Sequence, residues 1–151
     1  MYYHHGSGLI VYDPYRGEMK RRTKQWCVIE VDKEITRYYR WWLQFEKHIR
    51  LQPPSWDAHI SIVRGEFLQP DKRHLWKKYQ RKEIDFLYQH GDIQCHQVQE
   101  KQHGKTISGL FYSIGVECPA LDDMRSELGL CTGFKYHLTI GRTYQYEVKK
   151  K

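Results

Sequence analysis

Two histidines of this chain each begin the same six-residue pattern. The pattern reads HISIVR at residues 59–64 and HLTIGR at residues 137–142. Nine histidines and an apolar fraction of 40% predict about 0.1 chance occurrences of its first four positions. Two occurrences therefore indicate a functional pair of histidines.

Both patterns are typical of β-strands, in which successive side chains point to opposite faces. His59 and Ser61 then share one face of the first strand, and His137 and Thr139 share one face of the second. Imidazoles exchange protons near pH 7, and hydroxyls can donate hydrogen bonds to phosphate oxygens as negative charge develops. The sequence thus predicts acid–base chemistry at a phosphodiester, with His59 and His137 as acid and base in an order that it leaves open.

The elements around the two patterns form a degenerate repeat of strand, helix and strand. Asp32 is a predicted N-cap for a helix over 33–49, which lies between the strands CVIEV and HISIVR. A second helix over 121–128 lies between YSIGVEC and HLTIGR. The remaining predictions are strands at 8–12, 84–88, 93–98 and 106–117, a charged loop at 16–24, a basic helix at 71–81 and a turn at 90–92. The fold class that follows is α+β.

With its paired His-x-Ser/Thr motifs, the chain resembles the 2H phosphoesterase superfamily from about residue 8 to 142. The resemblance implies one bilobal domain over 1–151, in which two pseudo-symmetric lobes with antiparallel sheets flank a central cleft. It implies that His59 and His137 are catalytic and that Ser61 and Thr139 hold the phosphate.

Within that superfamily the chain looks most like phage anti-CBASS nucleases, in which an N-terminal strand leads into a motif like Tyr12-Asp13-Pro14. These enzymes cleave the 3′–5′ bonds of cyclic oligonucleotides without a metal, using the substrate's 2′-hydroxyl as nucleophile. The expected substrate is a cyclic di- or trinucleotide, and the expected location is the cytoplasm, that of the host for a phage protein. The alternatives are a 2H enzyme that acts on RNA ends, as a 2′,3′-cyclic phosphodiesterase or a 2′-5′ ligase, and a nucleotide-binding module without activity.

Four further residues are candidates for substrate binding. Tyr12 either lines the cleft or packs in the core, and Trp76, flanked by cations, either stacks on a base or anchors a helix. Arg64 and Arg142 are well placed for phosphate by charge. Strand alternation nevertheless turns both away from the histidine face, so each needs a bend or a strand end to reach it.

Composition limits the partners and cofactors. The net charge of +7 favours polyanions, although 18 acidic residues and the absence of a basic arm argue against duplex DNA as a partner. The four cysteines form no CxxC pair and are expected to be reduced thiols. We expect no metal, no cofactor and no membrane association, and the sequence leaves the oligomeric state open.

Overall fold

The computed structural model describes residues 3–15, 21–143 and 146–147. In chain order, the elements are strands β1 (His4–Tyr12) and β2 (Trp26–Val31), helix α1 (Lys33–Lys47), strand β3 (His59–Arg64), a 3₁₀ helix (Pro70–Leu75), strands β4 (Glu83–Gln102) and β5 (Lys105–Glu117), helix α2 (Pro119–Glu127), and strands β6 (Tyr136–Arg142) and β7 (Tyr146–Glu147). The predicted charged loop at 16–24 lies partly outside the described residues.

The strands form one antiparallel sheet in the order β4-β1-β2-β3-β6-β5-β7. Strand β4 also pairs with β5, so the pairings close on themselves through six of the strands. The long connections are made by the helices, since α1 joins β2 to β3 and α2 joins β5 to β6. The predicted α+β class is confirmed. The strands that carry the two histidine patterns are neighbours in this sheet.

Both helices pack on the same face of the sheet. Its central side chains, Ile60 and Leu138, are fully buried together with side chains from each helix. The helix residues of this cluster include Tyr39, Leu43, Leu121 and Met124. Asp32 caps α1 as predicted, accepting a hydrogen bond from the Glu34 backbone N–H at 2.9 Å. The helices therefore cover the sheet face opposite to the histidines.

The predicted helix over 71–81 is wrong. Only the 3₁₀ turn Pro70–Leu75 forms, because Lys77 and Arg81 both take positive φ angles, 72° and 63°. The Arg81 backbone N–H instead donates to the Ile10 carbonyl at 2.7 Å, which ties this segment to the edge of β1. Helical periodicity in the sequence was overridden by these tertiary contacts.

The predicted turn at 90–92 is also wrong, since 84–88 and 93–98 belong to the single strand β4. A register irregularity between Tyr88 and Ile93 absorbs the intervening residues while β5 pairs on both sides of it. The hairpin turns instead at His103-Gly104, where both φ angles are positive, 50° and 77°, as a two-residue primed turn requires. The pairing of β4 with β5 therefore continues as far as Gln102 and Lys105, next to this turn.

No helix in the described ranges is long and apolar enough to span a membrane. Cys27, Cys95, Cys118 and Cys131 are all free thiols.

Candidate active site

The two histidine motifs lie side by side in the middle of the sheet. Ile60 of β3 pairs with Leu138 of β6 in antiparallel register. One residue to either side, this register sets His59 opposite Thr139 and Ser61 opposite His137. A local twofold axis therefore passes through the Ile60–Leu138 pair and relates the two motifs.

Alternation puts the functional side chains of both motifs on one face. His59, Ser61, His137 and Thr139 are all half-buried, whereas the apolar residues between them are buried on the helix side. His59 and His137 are diagonal neighbours in this register, a relation in which backbones lie about 7–8 Å apart. That spacing leaves room for a phosphodiester between the two imidazoles.

The ring orientation of each histidine is fixed by a backbone group two residues upstream. The Nδ1–H of His59 donates to the carbonyl oxygen of Asp57 at 2.8 Å, since a carbonyl can only accept. His137 makes the equivalent hydrogen bond with the backbone of Lys135, which acts to raise its pKa. In both motifs, one ring nitrogen is hydrogen-bonded to the backbone, so the other ring nitrogen is the one that can exchange a proton.

The Trp56 side chain packs against the imidazole of His59. The indole and imidazole rings are stacked, with centroids 3.9 Å apart and planes inclined by 20°. Trp56 is itself buried with Val11 and Val28 in a small apolar cluster on the histidine side of the sheet. Trp56 was not among the residues predicted for the site, and its position three residues before His59 was the available signal in the sequence.

A cavity of about 970 Å³ opens beside His137. It lies near the upper limit of small-molecule sites, which span roughly 300–1,000 Å³. His137 and Thr139 line it, and His59 and Ser61 lie outside its lining, on the adjoining strand. The rest of the lining comes mainly from β4, β5 and the segment before β6, including Asp92, Gln94, His96, Gly115, Phe134 and Lys135.

The cavity determines the protonation of His137. Burial lowers the pKa of His137 below its ordinary value of 6.5, and the nearby positive charges of Arg64 and His96 lower it further. Gly115, the pairing partner of His137, has no Cβ, and the carboxylate of Asp92 occupies the space that a Cβ would take. Burial, Arg64 and His96 therefore favour the neutral form of the His137 imidazole.

No family model, curated protein or solved structure matches this chain. The function must therefore be inferred from the two motifs and the surface around them.

A β-bulge in each motif changes the direction of its arginine. On β3 the pairing with β2 skips Ile62, and on β6 the pairing with β5 skips Ile140. An extra residue in one strand shifts the alternation of the side chains that follow it. Ile62 and Val63 are consequently both buried, and Arg64 returns to the histidine face, where its charge acts on His137.

The equivalent bulge gives Arg142 the equivalent position at the His59 end of the strand pair. Arg142 is half-buried, and its Nε atom is buried without a hydrogen-bond partner among the described residues. Buried guanidinium N–H groups are normally paired, so this one is suited to an anionic ligand. The bend that the sequence analysis required for both arginines is thus present.

Tyr12 and Trp76 do not lie on this surface. Tyr12 is only 2% exposed, and its ring meets that of Trp76 edge-on at 4.8 Å. The indole N–H of Trp76 donates to the Asp13 carboxylate at 3.2 Å. Neighbouring Val11 packs on the histidine side, so alternation sends Tyr12 to the helix side. Their suggested role in base stacking is therefore corrected to core packing.

Within the described part of the chain, no group of three or more His, Cys, Asp or Glu residues lies close enough to hold a metal ion.

Proposed function

We propose that this protein is a metal-independent phosphodiesterase of the two-lobed 2H type that opens cyclic di- or trinucleotides. The proposal depends above all on the pairing of Ile60 with Leu138, which brings two imidazoles and two hydroxyls to one accessible face. The local twofold between the motifs supports a pseudo-symmetric relation between the two repeats.

The environments of the two histidines support different roles. His137 has a pKa below 6.5 because of burial and the adjacent Arg64, so it is neutral at pH 7 and suited to accept a proton. His59 is stacked on the face of Trp56, and an indole face attracts a cation. In our proposal, His137 is the general base and His59 the general acid.

Four groups surround the position of the phosphate. The hydroxyls of Ser61 and Thr139 flank it from the same face as the imidazoles, and each charged hydrogen bond of this kind contributes about 1.5–3 kcal/mol. The bulges bring Arg64 and Arg142 to the two ends of this surface. These donors would stabilise the charge that develops on the non-bridging oxygens in the transition state.

The proposed reaction is an intramolecular transfer. His137 takes the proton of the ribose 2′-hydroxyl, and the 2′-oxygen attacks the adjacent phosphorus. The bond from phosphorus to the 5′-oxygen breaks, and His59 gives its proton to that oxygen. The ring opens to a linear chain with a 2′,3′-cyclic phosphate at one end and a 5′-hydroxyl at the other.

The cavity beside His137 supports a compact nucleotide as substrate. Its volume of about 970 Å³ and its mixture of aromatic walls and polar side chains are typical of a small-ligand site. The net charge of +7 adds a field that attracts anions.

The test is an incubation of the protein, in excess EDTA, with a panel of cyclic di- and trinucleotides and with an RNA that ends in a 2′,3′-cyclic phosphate. We expect ring opening of at least one cyclic oligonucleotide, with a 2′,3′-cyclic phosphate as the first product by mass spectrometry. Hydrolysis of the RNA end alone would favour the alternative substrate class. Activity that returns only on addition of a divalent ion would contradict metal independence.

A further inference from the structure

The two bulges leave the same backbone group in need of a partner. Ile62 and Ile140 are the residues that the strand pairings skip, and an inserted residue takes its carbonyl out of the regular ladder. Both residues are buried, so each carbonyl must accept a hydrogen bond from elsewhere in the protein.

In both motifs that partner is an arginine from a helix. Arg125 of α2 donates from Nη1 to the Ile62 carbonyl at 2.8 Å, and Arg40 of α1 donates from Nη1 to the Ile140 carbonyl at 2.8 Å. The contacts are crossed, because α1 belongs to the first repeat and Ile140 to the second, whereas α2 and Ile62 have the reverse assignment. The local twofold therefore extends from the active face through the sheet to the helices.

Arg125 is held in place by more than this one contact. It is 2% exposed, forms a two-pronged ion pair with Glu66 at 2.6 Å for each hydrogen bond, and donates from Nε to the Cys131 carbonyl at 2.7 Å. Glu66 lies two residues after the first motif, and Cys131 lies in the segment before the second. Arg125 thus connects the bulge in β3 to Glu66 and to the segment before β6, part of which lines the cavity.

Arg40 explains the least conservative of the three differences between the motifs. The fifth position is Val63 in the first motif and Gly141 in the second. A Cβ on Gly141 would lie 3.1 Å from Cδ of Arg40 and 2.7 Å from the backbone oxygen of Gln52. The glycine provides the space through which Arg40 reaches the Ile140 carbonyl.

We propose that Arg40 and Arg125 are positioning residues that hold the two bulges and so turn Arg142 and Arg64 toward the phosphodiester. As a statement about catalysis, this rests on the proposed function. Each helix arginine acts on the motif of the other repeat. Arg125 fixes the orientation of Arg64, which lies beside His137, and Arg40 fixes the orientation of Arg142 at the His59 end.

The test compares four variants whose folding is first verified by thermal unfolding. Arg125→Lys keeps a cation for Glu66 but cannot make the forked set of hydrogen bonds. Ser126→Ala, at an exposed position on the same helix, is its control. Arg40→Met removes the bond to Ile140, and Arg37→Met, on the same helix, removes only an exposed pair with Glu34.

The first readout is the titration of the His137 imidazole by NMR, which requires no substrate. Arg125→Lys should raise the His137 midpoint toward 6.5, because Arg64 withdraws. Arg40→Met and Ser126→Ala should leave it at the wild-type value. The other titrating groups around this imidazole are His96, Asp92, Glu117, Asp122 and Lys135, and all four variants retain them.

The second readout is turnover of the cyclic oligonucleotide that the wild type opens. Arg125→Lys and Arg40→Met should each lower kcat on the order of 100-fold, the effect of misplacing a reacting contact by about 1 Å, with a smaller change in KM. Arg37→Met should match the wild type. The inference is overturned if folded Arg125→Lys keeps the wild-type His137 midpoint, or if Arg40→Met turns over like Arg37→Met. Should the wild type open no member of the panel, the proposed function fails, and the NMR titration still decides the role of Arg125.

Discussion

The imidazoles of His59 and His137 occupy equivalent positions in the sequence but differ in what surrounds them. One is stacked on Trp56 outside the cavity, and the other lines the cavity beside Arg64 and His96. An acid–base pair needs such a difference, because one imidazole must be neutral and the other protonated at the same pH. The local twofold gives the two histidines equivalent positions, and their different surroundings would give them the different roles that we propose.

Replacement of either histidine with alanine should remove most turnover while the fold remains. Each imidazole is half-buried and lies on the face opposite to the main core, so its loss opens no cavity there. The loss of one general acid or base typically costs about 10²–10⁴ in rate. The comparison is kcat for His59→Ala and His137→Ala against His74→Ala, an exposed histidine in the 3₁₀ helix. Full activity in either motif variant contradicts the paired mechanism.

The pH profile should report the lowered pKa of His137. In the proposed acid–base pair, the acidic limb of the kcat/KM profile reports protonation of the base, so this limb should lie below the ordinary imidazole value of 6.5. Replacement of Arg64 with glutamine removes a positive charge that disfavours the imidazolium, and the acidic limb should therefore move to higher pH. Arg37→Gln is the control. A limb that moves to lower pH, or does not move, contradicts the contact between Arg64 and His137.

For single residues, the sequence predicted a shared position well where a motif was repeated, and poorly where a residue belonged to no motif. The repeat identified the four residues that share one face of the sheet, because alternation in two strands leaves little freedom. Tyr12 and Trp76 had no such constraint, and each ring could serve a core or a ligand equally well. Only the pairing of β1 with β2 shows on which side Tyr12 lies.

Among the elements, the bulged strands matter most for the site. A regular strand would direct Arg64 and Arg142 into the core, and one inserted residue per motif reverses both. No local sequence pattern marks Ile62 or Ile140 as a bulge, since each looks like an ordinary apolar strand residue. The helix arginines that satisfy them are distant in sequence, so the geometry follows only from the tertiary structure.

The bulge in β6 should be sensitive to the size of the residue at the fifth position of its motif. Gly141→Val restores the residue of the first motif but places side-chain atoms against Arg40 and the Gln52 backbone. Overpacking of this kind typically costs about 1–3 kcal/mol, so the free energy of unfolding in urea should fall by that amount, and turnover should fall with it. Gly91→Val is the matched control, because a Cβ at Gly91 meets nothing within 4 Å. Equal stability of the two variants contradicts the role of Gly141.

Predictions of whole elements succeeded where local signals and packing agreed. The N-cap and amphipathic spacing of α1 were sufficient to locate it, and α2 and the motif strands were found within a few residues of their limits. The segment at 71–81 failed because its backbone pairs with β1. The long strand β4 failed because residues 89–92 look like a turn, whereas β5 provides a partner on both sides of them.

Over the whole molecule, the closed set of strand pairings separates two surfaces. The helices cover one, and the other carries the motifs and a half-open cavity that is lined by the β4–β5 hairpin and by the start of α2. The proposed substrate is consistent with this arrangement, because the cavity of about 970 Å³ beside His137 has the size of a small-ligand site. The net charge of +7 then attracts an anionic ligand without any dedicated basic stripe.

The identity of the nucleophile is the prediction that tests this arrangement as a whole. If the substrate's own 2′-hydroxyl attacks, a cyclic oligonucleotide with a 2′-deoxy sugar at that ribose should bind nearly as well as the parent and remain uncut. Binding should persist because the phosphate contacts and the base in the cavity are unchanged.

The measurement pairs calorimetric titration of the deoxy analogue with chromatography of the ring-opened product. An analogue deoxygenated at a ribose away from the cut bond serves as the control, and we expect it to be cleaved at the parent rate. Cleavage of the first analogue at the ordinary rate would show that water attacks the phosphorus. Tight binding of long duplex RNA, with no action on any cyclic di- or trinucleotide, would instead reject the substrate class.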